Sequence, residues 1–460
     1  MRILLVTRGF PPKGRWGSEG YSHDLAKALV GRGVEVAVFY PAAGEQGIET
    51  WTDPDGILVQ EAAFPRLRGK PFRASYRDAR QDRALAAFFA EHGRFDRVHF
   101  TALAGEVSMG LLPVARAHAD EVLVTLTELL PYCHRGQLLD AELQPCTGPE
   151  PRKCSACVMA SSPWARPGGS AAFKAALVRA LSFTGRLLPL PTPAAFTERE
   201  RFVQECFQSV DLFLAPSEGL RDRYVQLGMP KERIRYLPYA LDPERYRDYR
   251  RDELPETGKR GPLRLAYMGQ LAPHKGVQVL VDAMGRLDAT LREQLHLTLY
   301  GSATAAHHPL FWPALEARIV HAGLPIDIPG PFPPDEVARI LSQVDIVLLP
   351  SLWIENLPLV LMHARACGLP ILASDVAGIA TFIDDGQDGW LVPAGDVAAW
   401  THRLEQLALA RRKGPASTEA AQELARVQRG AEHRGNPMQL AEHLERLLSL
   451  EALRASSDTR

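Results

Sequence analysis

Four cysteines crowd into 25 residues of this 460-residue chain. Cys133, Cys146, Cys154 and Cys157 are spaced C-x12-C-x7-C-x2-C and end in a two-residue knuckle. Thiolates so spaced can close a tetrahedron around a structural zinc ion. An iron–sulfur cluster and four reduced thiols in a loop are the alternatives. Gly136, Pro145, Gly148, Pro149 and Pro151 between them suit a wrapped, irregular segment. Cys206 and Cys367 fall in helical apolar patterns and read as core. A second group of residues suits anion chemistry. In Met268-Gly269-Gln270-Leu271-Ala272-Pro273-His274-Lys275-Gly276, Gly269 lets backbone approach a ligand. Lys275 stands where a helix begins, so its ammonium and the helix N–H groups can form one anion site. The plainer reading is a solvated lysine on a βα loop. In Pro350-Ser351-Leu352-Trp353-Ile354-Glu355-Asn356-Leu357-Pro358, Glu355 sits at a strand-to-helix junction. A carboxylate there can bond ligand hydroxyls or stabilise developing positive charge, or it can cap the next helix. Gly17-Ser18-Glu19-Gly20 closes an early loop, and such loops at helix starts contact oxyanions.

These residues need a frame, and the apolar patterning supplies one. Arg2–Thr7 reads as a strand, Tyr21–Val30 as a helix and Val34–Tyr40 as a second strand. That is the opening of a parallel sheet covered on both faces. Strands follow at Arg97–Phe100, Val122–Thr125, Leu212–Ala215 and Ile234–Leu237. The breaker-rich segment 251–262 predicts a linker. The pattern then restarts, with strands at Leu263–Met268, His296–Tyr300, Val344–Leu349 and Ile371–Ser374. Helices are expected at Val277–Leu287, Phe311–Ala322, Leu357–Cys367 and Ala398–Leu409. The fold class is therefore α/β, with two Rossmann-like doubly wound domains facing a cleft. The expected boundaries are 1–250, with a cysteine-rich insertion at 130–165, then 263–430, then a C-terminal helix and tail at 431–460.

Composition excludes several classes. Lys+Arg 53 against Asp+Glu 54 gives a net charge of -1, which argues against a chain-wide nucleic-acid binder. No apolar run approaches the ~20 residues that span a bilayer. Met1–Thr7 reads as a buried strand and not as an export signal, so the expected location is cytoplasmic or membrane-peripheral. Two cationic segments could touch anionic lipid. One carries Arg66, Arg68, Lys70, Arg73, Arg77, Arg80 and Arg83; the other is Ala171–Leu190. The alternative is a solvated helix face for the first and a core-packed helix for the second.

The motifs taken together resemble glycosyltransferase family 4, retaining nucleotide-sugar-dependent enzymes with two Rossmann-like domains (the GT-B fold). The resemblance is carried by Gly269-Gln270-Leu271…Lys275-Gly276, Tyr300-Gly301-Ser302, Pro350-Ser351…Glu355-Asn356, Ala366-Cys367-Gly368-Leu369-Pro370 and Asp388-Gly389-Trp390-Leu391-Val392. It implies a nucleotide-diphosphate sugar bound by Gly17, Ser18, Gly269, Gln270, Lys275, Gly301, Ser351, Glu355, Asn356, Leu357 and His363. It implies catalytic roles for Glu355, Thr127 and Glu128, a hydroxyl acceptor, and no catalytic metal. A similar cysteine-rich insertion occurs in part of the family.

Four positions depart from the family pattern. Gln270 stands where an arginine is usual. His363 stands eight positions after Glu355, where a second glutamate is usual. Ala377-Gly378-Ile379-Ala380-Thr381 replaces Gly-Gly-x-Pro-Glu, and Thr125-Leu126-Thr127-Glu128 replaces Thr-x-His-Asp or Thr-x-His-Glu. Two other readings therefore stand beside a transferase: a catalytically deficient binding or partner subunit, and an enzyme of the same architecture with altered chemistry, such as an epimerase. For His363 the expectation is a ring on the first turns of its helix that titrates between about pH 5.5 and 7.5.

Overall fold

A computed structural model describes residues 1–14, 17–65, 72–103, 107–161, 191–246, 249, 261–303, 310–413, 418–433 and 440–449. The linker segment 251–260, Arg66, Arg68, Lys70 and the cationic segment Ala171–Leu190 lie outside them. Contacts divide the chain into two compact units. The first holds Met1–Pro216, Arg221–Leu237 and the segment from Arg446; the second holds Ser217–Leu220 and Pro238–Glu445. This differs from the expected boundary at 250: the chain enters the second unit at Pro238, and the last turn of the C-terminal helix belongs to the first.

The first unit is built on β1 (Arg2–Val6), β2 (Glu35–Ala43), β3 (Gly47–Thr52), β4 (Leu58–Phe64), β5 (Phe95–Phe100), β6 (Ala119–Thr125), β7 (Leu212–Ala215) and β8 (Ile234–Tyr236). Their order in the sheet is β3-β4-β2-β1-β5-β6-β7-β8. Every pairing is parallel except β3 with β4. Helices cover such a sheet on both faces, so its strands bury nearly every residue. Ile3, Leu4, Leu5 and Val6 in β1 are all buried. The β3–β4 hairpin was not expected. Its strand Gly47–Thr52 is mostly exposed, and its sequence carries no apolar run that marks a core strand. At the other end of the chain, buried Arg97 on β5 donates to Glu121 Oε2 (2.7 Å) and to the Leu447 carbonyl (2.5 Å). It thereby satisfies an orphan carbonyl at the end of helix Leu440–Leu448.

The second unit is built on β9 (Leu263–Met268), β10 (Leu295–Tyr300), β11 (Ile326–Gly330), β12 (Ile346–Leu349), β13 (Ile371–Ser374) and β14 (Gly389–Val392). The order is β11-β10-β9-β12-β13-β14, all parallel. The helices fall where the apolar spacing places them: Val277–Arg286, Phe311–His321, Leu359–Ala366 and Val397–Lys413. One apolar cluster joins Leu263 and Leu265 of β9, Leu280 and Met284, Leu348 of β12, and Trp400. The chain runs from β9 to one side through β10 and β11, then returns to the other side with β12. The order therefore reverses between β9 and β12. Loops leaving two such strands diverge at their carboxyl ends, where open α/β sheets bind ligands. Among the described residues, no helix is long and apolar enough to cross a membrane.

Candidate functional site

The loops after β9 and β12 carry Lys275 and Glu355, and the reversal of strand order brings them together. Lys275 Nζ donates to Glu355 Oε1 at 2.8 Å and to Oε2 at 3.0 Å. Ser351 Oγ donates to Oε1 at 2.6 Å, and Trp353 Nε1 donates to it at 2.7 Å. Glu355 is 2% exposed. A buried carboxylate needs paired charge and filled lone pairs, and this one has both. The ammonium also lies 4.8 Å from the centre of the Trp353 ring, within cation–π range. Glu355 does not cap the following helix, whose start has no side-chain cap.

Two glycines make this approach possible. Gly276 ends the short 3₁₀ turn Pro273–Lys275 in the left-handed region at φ 76°. A Cβ there would collide with the Pro350 carbonyl. Gly378, at φ 91°, leaves room for the Glu355 carbonyl in the same way. The Glu355 N–H donates to the Ala377 carbonyl at 3.0 Å. The segment that departs from Gly-Gly-x-Pro-Glu thus keeps a backbone role: it holds the Glu355 loop.

The other residues of the second unit are placed as follows. The Gly269 N–H donates to the Tyr300 carbonyl and the Gly301 N–H to the Gly330 carbonyl, each at 2.9 Å. Gln270 is exposed, and its carbonyl accepts from Tyr267 Oη at 2.5 Å. Asn356 Nδ2 donates to Tyr239 Oη at 3.1 Å, Asn356 Oδ1 accepts from the Leu357 N–H at 2.7 Å, and Leu357 is buried. His363 differs from expectation. It is 9% exposed, and its Nδ1 is hydrogen-bonded to Tyr246 Oη. Burial, and then the charge of Arg245, push its pKa down to about 3. The ring is neutral at every pH where a solvated histidine titrates, so the window of pH 5.5–7.5 does not apply. The signal that sequence reading missed is Tyr246, 117 residues away.

In the first unit, Gly17 caps helix Ser18–Val30 with φ 53°, and the Ser18 carbonyl accepts from Ser22 Oγ at 2.7 Å. Arg8 Nε lies 3.2 Å from Glu19 Oε1, and its Nη1 lies 3.9 Å from Glu128 Oε1. Burial raises the pKa of Glu19 while the Arg8 charge lowers it. Thr127 is buried, and its Oγ1 has no hydrogen-bond partner. Part of the cationic segment is engaged within the unit. Arg80 pairs with Asp78 at 2.6 Å, Arg73 with Glu198 at 3.3 Å, and Arg77 stacks on Phe202 at 4.7 Å.

All six cysteines are thiols. Cys154 and Cys157 share helix Pro151–Ser161, one turn apart. Burial raises the pKa of both thiols; for Cys154 the charges of Cys133, Cys146 and Cys157 add to the rise. The donor chemistry fits a zinc ion. The spacing is looser than a closed site, because no three of the sulfurs come within 4.8 Å of one another. A Zn–S tetrahedron has edges of roughly 3.8 Å. A second possible cation cluster is His23, Asp53 and Asp55, but Lys27 Nζ already lies 3.3 Å from Asp55 Oδ2.

Comparison with known proteins bears on both units. Residues 17–240 match the model of a glycosyl transferase 4-like domain, and residues 262–409 match that of glycosyl transferases group 1. The chain belongs to glycosyltransferase family 4. The amylovoran biosynthesis glycosyltransferase AmsK of Erwinia amylovora is 30% identical over 214 residues, covering 44% of this chain and 48% of that protein. The D-inositol 3-phosphate glycosyltransferase of Arthrobacter sp. (strain FB24) is 26% identical over 418 residues, covering 85% and 81%. The match to AmsK and to the putative colanic acid biosynthesis glycosyltransferase WcaL of Salmonella typhimurium spans about half the length of each. Among solved structures, Anabaena HepE in complex with UDP and glucose aligns with a TM-score of 0.62 at 14% identity, covering 98% and 99% of the two chains. Sucrose-phosphate synthase from Thermosynechococcus elongatus aligns at 0.61 and 17%, covering 98% and 96%. These two likenesses concern the fold, which is of the two-domain GT-B type.

Proposed function

We propose that the chain is a retaining glycosyltransferase that draws its sugar from a nucleoside-diphosphate sugar. The observation that carries this reading is the Lys275–Glu355 pair at the strand-order reversal of the second unit. Lys275 and the amino end of helix Val277–Arg286 face the leaving diphosphate, whose negative charge grows as the bond from the anomeric carbon to phosphate oxygen breaks. Glu355 holds the ammonium in place and offers its carboxylate to the transferred sugar. The acceptor hydroxyl forms the new glycosidic bond on the face the diphosphate leaves, and its proton passes to the departing phosphate. Thr127 and Glu128 belong to the acceptor side in this reading. UDP is the first nucleotide to test, because HepE is described with UDP and with UDP-glucose.

The test is binding by calorimetry. Lys275→Ala removes a charge-assisted phosphate contact worth roughly 1.5–3 kcal/mol. Affinity for UDP falls about 10- to 100-fold, while affinity for uridine is unchanged. Equal loss for both ligands refutes the assignment of Lys275 to phosphate. A second reading, a homologue that binds the donor without turnover, is favoured by the buried His363–Tyr246 bond. It shares the binding result and differs in showing no sugar transfer or donor hydrolysis.

A further inference from the structure

Three cations, Arg135, Lys153 and Arg199, lie beside the cysteine segment. Arg135 Nη1 lies 3.7 Å from Cys157 Sγ and donates to the carbonyls of Leu139 and Asp140. Lys153 directly precedes Cys154, and its Nζ donates to Thr147 Oγ1 at 3.2 Å. Arg199 is 4% exposed. Its Nη1 and Nη2 donate to the backbone carbonyls of Pro131 and Leu130, while its Nε is buried with no partner. Among the described residues, none of the three makes an ion pair with an acidic side chain. Arg199 and Cys154 line one small cavity with Tyr132, Glu150, Phe196, Glu200 and Gln204, and neither carboxylate is within ion-pair distance of the three cations.

Three cations beside four cysteines are a costly arrangement unless negative charge sits among them. Two carbonyl bonds offset part of the desolvation penalty of the buried Arg199 guanidinium, but they leave its charge without a counter-ion. The arrangement becomes favourable if the sulfurs are thiolates. Four thiolates also repel one another, and a divalent ion among them removes that repulsion while leaving a formal charge of roughly −2 for the three cations to balance.

We propose that Cys133, Cys146, Cys154 and Cys157 bind one zinc ion as thiolates, with Arg135, Lys153 and Arg199 as its counter-charge. Binding releases the four thiol protons to solvent. It also draws the sulfurs closer than they stand here. The loop between Cys133 and Cys146 carries the isolated bridge Leu139 to Pro145, and the Cys146 N–H donates to the Leu138 carbonyl at 2.7 Å. Leu138 and Leu143 within it sit at φ 50° and 64°, a region that side-chain-bearing residues avoid. The proposal does not rest on the transferase reading, since it concerns the first unit alone.

The experiment uses the full chain, expressed without added metal and purified under reducing conditions. Elemental analysis is expected to find about one zinc per chain. Replacing it with cobalt(II) is expected to give the thiolate-to-metal charge-transfer absorption of a tetrahedral sulfur site. Cys154→Ser should weaken that band and lower metal affinity. Lys153→Gln and Arg199→Met, read by competition with a chelator, should each lower affinity about 10- to 100-fold, as partners around a metal site do. Lys153 is partly exposed, so its variant keeps the test valid if Arg199→Met does not fold. Four outcomes overturn the proposal: neither zinc nor a charge-transfer band, an iron–sulfur chromophore, disulfides between these cysteines, or affinity unchanged in Cys154→Ser. Unchanged affinity in Lys153→Gln and in a folded Arg199→Met overturns the counter-charge assignment.

Discussion

Replacing Lys275 with methionine isolates the charge that Glu355 depends on. Glu355 accepts four hydrogen bonds, two of them from Lys275. Methionine keeps an apolar stem beside Trp353 and removes both bonds and the cation. The carboxylate is left with two neutral donors. Breaking a buried pair from one side costs about 3–5 kcal/mol. The Lys275 side chain is 21% exposed, so water reaches its side of the pair and the lower end applies, about 3 kcal/mol. For a unit of this size that corresponds to a fall of roughly 6–12 °C in the midpoint of thermal unfolding. Adding Glu355→Gln removes the stranded charge, while the amide oxygen still accepts from Ser351 and Trp353. The double variant should therefore recover at least about 1 kcal/mol over Lys275→Met. Calorimetry and urea unfolding of the wild type, both single variants and the double give the coupling energy directly. If Lys275→Met unfolds within about 1 kcal/mol of wild type, or the double is less stable than the single, the pair does not hold the loop and the reasoning fails.

His363 and Arg97 give two further predictions. A histidine depressed to about 3 in the fold is neutral there, yet takes up a proton in the unfolded chain below about pH 6.5. Its contribution to stability is thus complete above pH 6.5 and is lost as pH falls towards 3. Between pH 7 and 5.5 the loss is about 1.3 kcal/mol, and His363→Gln should lack that part of the slope in urea titrations. Arg97→Met strands Glu121 and uncaps helix Leu440–Leu448. A loss of about 2–4 kcal/mol and earlier proteolysis near that helix are expected; an unaltered digestion pattern would contradict the role given to Arg97.

Much of this was legible where the chain's chemistry is local. β9 and β13 begin and end where their apolar runs do, and Lys275 and Glu355 each stood out from their own loops. What the sequence did not reveal is that they bond to each other. They are 80 residues apart, and only the pairing of β12 beside β9 brings them together. The same distance problem hid Tyr246, the hydrogen-bond partner of the buried His363 ring. Trp353 carried no role in the sequence, whereas its indole N–H is one of the groups that hold Glu355. The missed strands have local reasons. Ile326–Gly330 contains Asp, Pro and Gly, which break a strand pattern, and Gly389–Val392 opens on a glycine directly after Asp388. The interrupted pairing of β10 with β11 fits that composition.

The strand order of the first unit has a consequence for how the chain can assemble as it is made. Strands β1 to β4 occupy the first 64 residues and form one contiguous block at one side of the sheet. Every later strand adds to the other side in the order of synthesis, β5, then β6, β7 and β8. No strand of this sheet must insert between two already paired. A growing chain can therefore extend one edge and bury it strand by strand, which shortens the time for which an unpaired edge is available to other chains. The antiparallel hairpin closes the opposite edge early, with the local turn that only an antiparallel pair permits.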